Sequence, residues 1–149
     1  MKKIAVIGAG SWGTALAIML EQYGHDVTLW ARNQKAVEEM KKTRENKRYL
    51  PGVLLGEKLQ ITTDQKEAVE EKEIVISAVP SRAVRETMIN FSPFFQQGVI
   101  IVNAAKGLEQ ETVCLPLPCL CVIRSKSCRR SGSVYSYSLC DCLRGRRHC

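Results

Sequence analysis

The sequence predicts an α/β fold: a doubly wound parallel sheet, incomplete at its C-terminal end. Three observations predict it. An apolar run of strand length, Lys3–Ile7, leads into Gly8-Ala9-Gly10-Ser11-Trp12-Gly13. An Ala/Leu-rich stretch of helical character follows at once. Short apolar runs then alternate with polar, helix-forming segments as far as Val102, the pattern of right-handed βαβ crossovers.

The elements follow in order. The first strand is Lys3–Ile7 and the first helix runs from Ser11 to about Tyr23, ending before Gly24. Asp26 to Ala31 reads as the second strand. Asn33 is a good N-cap for a second helix that begins near Gln34 and takes in the charged stretch Glu38–Lys42. Tyr49-Leu50-Pro51-Gly52 reads as a loop, with turn chemistry in its Pro-Gly pair. A short third strand lies near Leu59–Thr62, and Asp64 caps a small helix over Gln65–Glu71. The fourth strand is Glu73–Ala78, Ser81 opens a helix that ends by Phe91-Ser92-Pro93, and the fifth strand is Val99–Val102. Ile4, Val6, Val75, Ile76, Ile100 and Ile101 read as positions in strands covered on both faces.

Gly8-x-Gly10-x-x-Gly13, with a strand before it and a helix after it, is the dinucleotide-binding fingerprint of Rossmann-type domains. Gly8 turns the chain out of the strand, Gly10 removes the Cβ that would hold a pyrophosphate away, and Gly13 lets the helix lie close on the sheet. The free N–H groups and the positive dipole end of that helix then face the anion. Ligands of such sheets bind beyond the carboxyl ends of the strands. Those ends are Gly8–Ser11, Arg32-Asn33, Ala78–Ser81 and Asn103–Gly107.

Arg32 stands about 20 residues past the motif, where an acidic residue would accept from a ribose 2′-OH. Arginine suits a 2′-phosphate instead, by charge and bidentate hydrogen bonding, and favours NADPH over NADH. Asn33 assists it or only caps its helix. Ser11 offers a hydroxyl and an N–H to a phosphate, or serves as a plain N-cap. Trp12 covers a pyrophosphate or is a core aromatic. Pro80 stiffens the backbone where a nicotinamide ring would pass, or is an ordinary loop proline. Lys106, at the open end of a central strand, is suited to an anionic substrate or to the cofactor, or is an idle surface lysine.

Charge and cysteine divide the chain in two. Residues 1–113 hold 15 Lys/Arg against 14 Asp/Glu and no cysteine. Residues 114–149 hold 7 Lys/Arg, one acidic residue (Asp141) and all seven cysteines. Of the formal net charge of +7, the tail carries +6 and the domain +1, so it does not argue for a nucleic-acid partner of the domain. The cysteine-free domain fits a cytoplasmic location. The tail cysteines include Cys119-x-Cys121 and Cys140-x-Cys142 but no CxxC pair, a poor spacing for zinc. Met1-Lys2-Lys3 and the apolar run resemble a signal peptide's opening, but Gly8, Gly10, Ser11, Gly13 and Thr14 interrupt it. No run approaches the roughly 18 apolar residues of a membrane span.

Gly8-Ala9-Gly10-Ser11-Trp12-Gly13-Thr14-Ala15-Leu16-Ala17, Leu29-Trp30-Ala31-Arg32, Tyr49-Leu50-Pro51-Gly52, Ala78-Val79-Pro80-Ser81 and Asn103-Ala104-Ala105-Lys106-Gly107-Leu108-Glu109 together resemble the bacterial NAD(P)-dependent glycerol-3-phosphate dehydrogenases. The resemblance covers residues 1 to about 112. It implies interconversion of dihydroxyacetone phosphate and sn-glycerol 3-phosphate, feeding phospholipid synthesis. It also implies that Ser11, Trp12, Arg32 and Asn33 contact NADPH or NADH, that Tyr49 lies near the cofactor, and that Lys106 contacts both cofactor and substrate. The family's catalytic lysine and its substrate-phosphate residues belong to a second, helical domain that residues 113–149 do not resemble. No catalytic residue and no metal ligand is therefore expected here. The expected division is a dinucleotide-binding domain over 1–113 and, over 114–149, a Cys/Arg/Ser-rich tail that is disordered or the product of out-of-frame translation.

Overall fold

A computed structural model describes residues 1–105 and the backbone of 120–122. Its strands are β1 (Lys3–Ile7), β2 (Asp26–Trp30), β3 (Glu45–Asn46), β4 (Leu50–Leu54), β5 (Gln60–Thr62), β6 (Ile74–Ser77), β7 (Ile100–Asn103) and β8 (Leu120–Val122). The α-helices are α1 (Ser11–Gln22), α2 (Gln34–Thr43), α3 (Gln65–Val69) and α4 (Ser81–Phe91), followed by a 3₁₀ turn over Ser92–Phe94.

The main sheet has the order β5-β2-β1-β6-β7-β8. The five strands from β5 to β7 are parallel, and β8 joins β7 antiparallel. From β1 the chain steps outward to β2 and β5, then crosses back to β6 on the other side of β1. The order thus reverses between β1 and β6, and this switch point opens a crevice at the carboxyl ends of those strands.

Period-2 alternation sends side chains of each strand to both faces. Val6, Val27, Leu29 and Ile61 pack with Ala17 and Ile18 of α1 and with Val37 and Met40 of α2. Ala5, Ile7, Val75 and Ile101 pack on the other face with Val69 of α3 and Val84, Met88 and Phe91 of α4. Phe91 meets the buried Trp30 edge-on, with ring centroids 5.0 Å apart, and the indole N–H of Trp30 donates to the Thr63 carbonyl at 2.9 Å. Burial on both faces is why these strands read as apolar runs.

The helix caps follow local chemistry. Asn33 Oδ1 accepts from the Ala36 N–H at 3.2 Å, and Asp64 Oδ1 accepts from the Glu67 N–H at 2.7 Å. Arg44, at the end of α2, has φ +51°, which turns the chain sharply into β3.

Two segments depart from the sequence expectation. The stretch read as a loop at Tyr49–Gly52 is mostly strand: β4 pairs antiparallel with β3, with a register shift between Glu45 and Asn46. The tight connection falls at 47–49, ahead of the Pro-Gly pair. Pro51 is tolerated because this two-stranded ribbon is all edge. The tail also contributes to the sheet: β8 lies within the segment read as lacking strand periodicity. Three residues are too few to show a period; pairing with β7 makes them a strand. Residues 106–119 and 123–149, Lys106 among them, lie outside the described residues.

Candidate dinucleotide site

The carboxyl ends of the central strands are tied together by backbone hydrogen bonds. Gly8 N–H donates to Trp30 O at 3.0 Å, Ala78 N–H to Ile7 O at 2.8 Å, and Ala104 N–H to Ser77 O at 2.9 Å. The segments leaving β1, β2, β6 and β7 therefore meet at one level, as the strand-end reading requires.

Gly8 has φ +113°, and a Cβ there would lie 2.9 Å from the Ala78 carbonyl oxygen. Backbone conformation and space both demand glycine at this turn. A Cβ on Gly13 would collide with the Gly8 carbonyl oxygen, so α1 packs directly against the turn. Gly10 is different. Its φ is −75°, which any residue adopts, and a Cβ on it would meet nothing within 4 Å. Among the described residues nothing in the protein's own packing requires glycine at position 10. The open space above it is what a close-approaching ligand would use.

Gly10 is the N-cap of α1, and no side chain caps this helix. Ser11 is thus not the N-cap; it is the first helical residue, exposed, with its hydroxyl left over from the helix's own needs. Trp12 is 55% exposed, which excludes the core alternative. A large apolar ring in solvent beside an uncapped helix start is a surface suited to covering a ligand.

Arg32 leaves the end of β2 exposed and forms no hydrogen bond or ion pair among the described residues. Asn33 beside it caps α2. Tyr49 is half-exposed, and the Arg48 guanidinium lies over its ring at 5.2 Å from the centroid. A cleft of about 200 Å³ separates α2 from this connection, lined by Asn33, Lys35, Glu39, Asn46 and Arg48 among others. Pro80, exposed, is the N-cap of α4. The structure thus brings Gly8, Gly10, Ser11, Trp12 and Gly13 together in one turn. It sets Arg32 and Asn33 at the neighbouring strand end and Tyr49 on the β3–β4 connection.

Asn46 and Thr14 escape the sequence reading. Asn46 is 4% exposed, and its Nδ2 donates to the Ala9 carbonyl at 3.0 Å and to Thr14 Oγ1 at 2.8 Å. Its Oδ1 accepts from the Tyr49 N–H at 3.3 Å. One buried amide therefore ties the glycine turn, the first turn of α1 and the Tyr49 connection together. No local pattern announces it, because the two groups its Nδ2 donates to lie more than 30 positions upstream.

The strongly interacting charges gather at the other end of the sheet. Lys2 pairs with Glu73 at 2.6 Å, Lys3 with Glu71 at 2.8 Å, and the buried Lys72 faces Asp26 at 3.8 Å. Hydrogen bonds from Lys3 and Lys2 hold the Glu71 and Glu73 carboxyls below their ordinary range, and burial pushes the Lys72 ammonium down. These groups brace the amino ends of the strands, away from the glycine turn. No described helix is long and apolar enough to cross a membrane.

Comparison with known proteins agrees with this geometry. The family model described as the N-terminus of NAD-dependent glycerol-3-phosphate dehydrogenase matches residues 3–121. The glycerol-3-phosphate dehydrogenase [NAD(P)+] of Fusobacterium nucleatum is 47% identical over 113 residues, covering 76% of this chain and 34% of that protein. The Bacillus subtilis enzyme of the same name is 41% identical over 113 residues, 33% of its length. The crystal structure of glycerol-3-phosphate dehydrogenase from Coxiella burnetii superposes with a TM-score of 0.71 at 36% identity, covering 74% of this chain and 34% of that one. This chain thus spans about a third of the length of the curated relatives it matches. By the glycine turn, the strand order and these matches, the chain belongs to the NAD-dependent glycerol-3-phosphate dehydrogenase family and carries its N-terminal domain.

Proposed function

We propose that this chain binds a nicotinamide dinucleotide across the crevice between β1 and β6, with the pyrophosphate at the start of α1. The observation that carries this reading is Gly10, a glycine with ordinary φ and open space where its Cβ would be. Ser11 and the amides of the first turn of α1 donate to the phosphates. Trp12 covers them, and Tyr49 lies along the cofactor. Arg32 holds the 2′-phosphate of NADPH, which is preferred over NADH; its exposure and freedom from partners among the described residues support that role. Asn33 orients this end while capping α2.

In the complete family enzyme the cofactor carries the redox step: hydride passes between its nicotinamide ring and the carbon that is carbonyl in dihydroxyacetone phosphate and carbinol in sn-glycerol 3-phosphate. Lys106 contacts the cofactor and holds and polarises the substrate. The acid–base lysine belongs to the second domain. A second reading is a binding module: these residues hold the dinucleotide and do not by themselves turn substrate over, because the acid–base group lies outside the dinucleotide-binding fold. We place the protein in the cytoplasm, acting on small molecules in the supply of glycerol 3-phosphate for phospholipids. Residues 1–113 form the binding domain, and 114–149 are a Cys/Arg/Ser-rich tail of the kind that out-of-frame translation produces, with Leu120–Val122 paired to β7. Dehydrogenase-like sequence in another frame of the coding DNA beyond codon 113 supports that origin of the tail; its absence overturns it.

Titration of the purified chain with NADPH and NADH, followed by Trp12 and Trp30 fluorescence, tests the binding reading. Saturable quenching is expected with both, NADPH binding about tenfold or more tightly, an advantage that Arg32→Ala removes. Absence of binding by either sinks the proposal, and an unchanged preference in Arg32→Ala sinks the role of Arg32. Turnover of dihydroxyacetone phosphate by this chain would overturn the statement that it binds without catalysing.

A further inference from the structure

Asn46 spends its whole amide on three backbone or side-chain atoms. Both N–H donors are used, on Ala9 O and Thr14 Oγ1, and the carbonyl oxygen accepts from Tyr49 N–H. This also sets the orientation of the side chain, since the reverse would place two oxygens face to face at Ala9. A buried, fully satisfied amide is rigid and costly to disturb.

The consequence reaches the glycine turn through peptide planarity. The Ala9 carbonyl and the Gly10 N–H belong to one trans peptide unit and point in opposite directions. Clamping the carbonyl on Asn46 therefore fixes that plane and directs the Gly10 N–H the opposite way within it. That N–H has no partner among the described residues, and a Cβ on Gly10 would meet nothing within 4 Å. Meanwhile the bonds to Thr14 and Tyr49 couple the start of α1 to the connection that carries Arg48 and Tyr49.

We propose that Asn46 is a positioning residue for the pyrophosphate: it aims the Gly10 N–H at the phosphate and locks the β3–β4 connection to the glycine turn. This rests on the dinucleotide reading above. It acts through the backbone and does not itself touch the ligand.

The test uses the full chain and two ligands that share a pyrophosphate, NADH and ADP. Asn46→Leu keeps the branched shape, removes the donors and adds no charge. Dissociation constants are measured by Trp12 fluorescence at a temperature where near-ultraviolet circular dichroism shows both proteins folded. Both ligands are expected to weaken by about tenfold and by the same factor. A merely structural role lowers the melting temperature and leaves the affinity of the folded protein unchanged. If Asn46→Leu does not fold, the smaller Asn46→Ala, which also removes the donor to the Ala9 carbonyl, is read the same way. Independently of any variant, the Gly10 amide resonance of the wild-type chain is expected to move downfield on addition of ADP. Wild-type affinity in the folded variant, or an unmoved Gly10 amide in a chain that binds ADP, overturns the role of Asn46 alone. A wild-type chain that binds neither ligand overturns the dinucleotide reading and this role with it.

Discussion

Alanine at Gly10 and alanine at Gly13 separate what a ligand demands from what packing demands. At Gly13 the new methyl runs into the Gly8 carbonyl, a backbone atom that cannot swing aside. Gly13→Ala should cost about 2–3 kcal/mol of stability, read by urea unfolding. At Gly10 the methyl enters open space with φ already at −75°. Losing glycine at the N-cap and stiffening the unfolded chain act in opposite directions, so Gly10→Ala should stay within about 1 kcal/mol of wild type. Its dinucleotide affinity should nonetheless fall by about tenfold or more, because the methyl occupies the phosphate's approach. Equal loss of stability at both positions would show that Gly10 serves the fold.

Among the elements, α2 shows how one residue serves two ends. Asn33 caps the helix through Ala36 N–H, and α2 leads through Arg44 into the hairpin that carries Asn46 and Tyr49. Arg44 Nη2 reaches the Leu59 carbonyl at 3.2 Å and also bonds the Gly56 carbonyl, so the return of the hairpin toward β5 is pinned to the helix end. Asn33→Ala should cost about 1 kcal/mol in thermal or urea unfolding. Asn33→Ser and Asn33→Asp, which cap as well, should recover most of that loss. A helix that tolerates alanine without loss would mean that packing of Val37 and Met40 alone holds α2.

For the molecule as a whole, the candidate site and the ion pairs sit at opposite ends of one sheet. The carboxyl ends present the glycine turn, Arg32 and Trp12, while the amino ends carry the ion pairs of Lys2, Lys3 and Lys72. Glu71 and Glu73 have folded pKa values below the ordinary 4.5. Their stabilisation is therefore complete above about 4.5 and is lost as pH falls through the folded values. Both are exposed, so the loss should be shallow and should flatten in added salt. Urea midpoints across pH 3 to 6, with and without salt, check this, and a salt-independent slope would contradict it. Lys72 acts at alkaline pH. Burial holds its folded pKa below 10.5, so the unfolded chain binds the extra proton in that window and stability rises as pH climbs toward 10.5.

Local pattern determined most of the scaffold. The apolar runs at Lys3–Ile7, Ile74–Ser77 and Ile100–Asn103, the glycines between β1 and α1, and the caps Asn33 and Asp64 all carry their structural reason within a few residues. Periodicity and capping are short-range effects, so they are legible in sequence. The place of Arg32 just past the end of β2 was legible for the same reason, as a residue at a countable distance from the motif. Tertiary structure decided what depends on distant partners. The β3–β4 ribbon exists because two short segments meet across a turn, and Leu120–Val122 is a strand only beside β7. Trp12 stands in solvent because it projects from the face of α1's first turn opposite the buried Gly13 and Thr14. Asn46 holds the glycine turn through bonds to residues 37 and 32 positions away, and no spacing rule over a single element reaches that far.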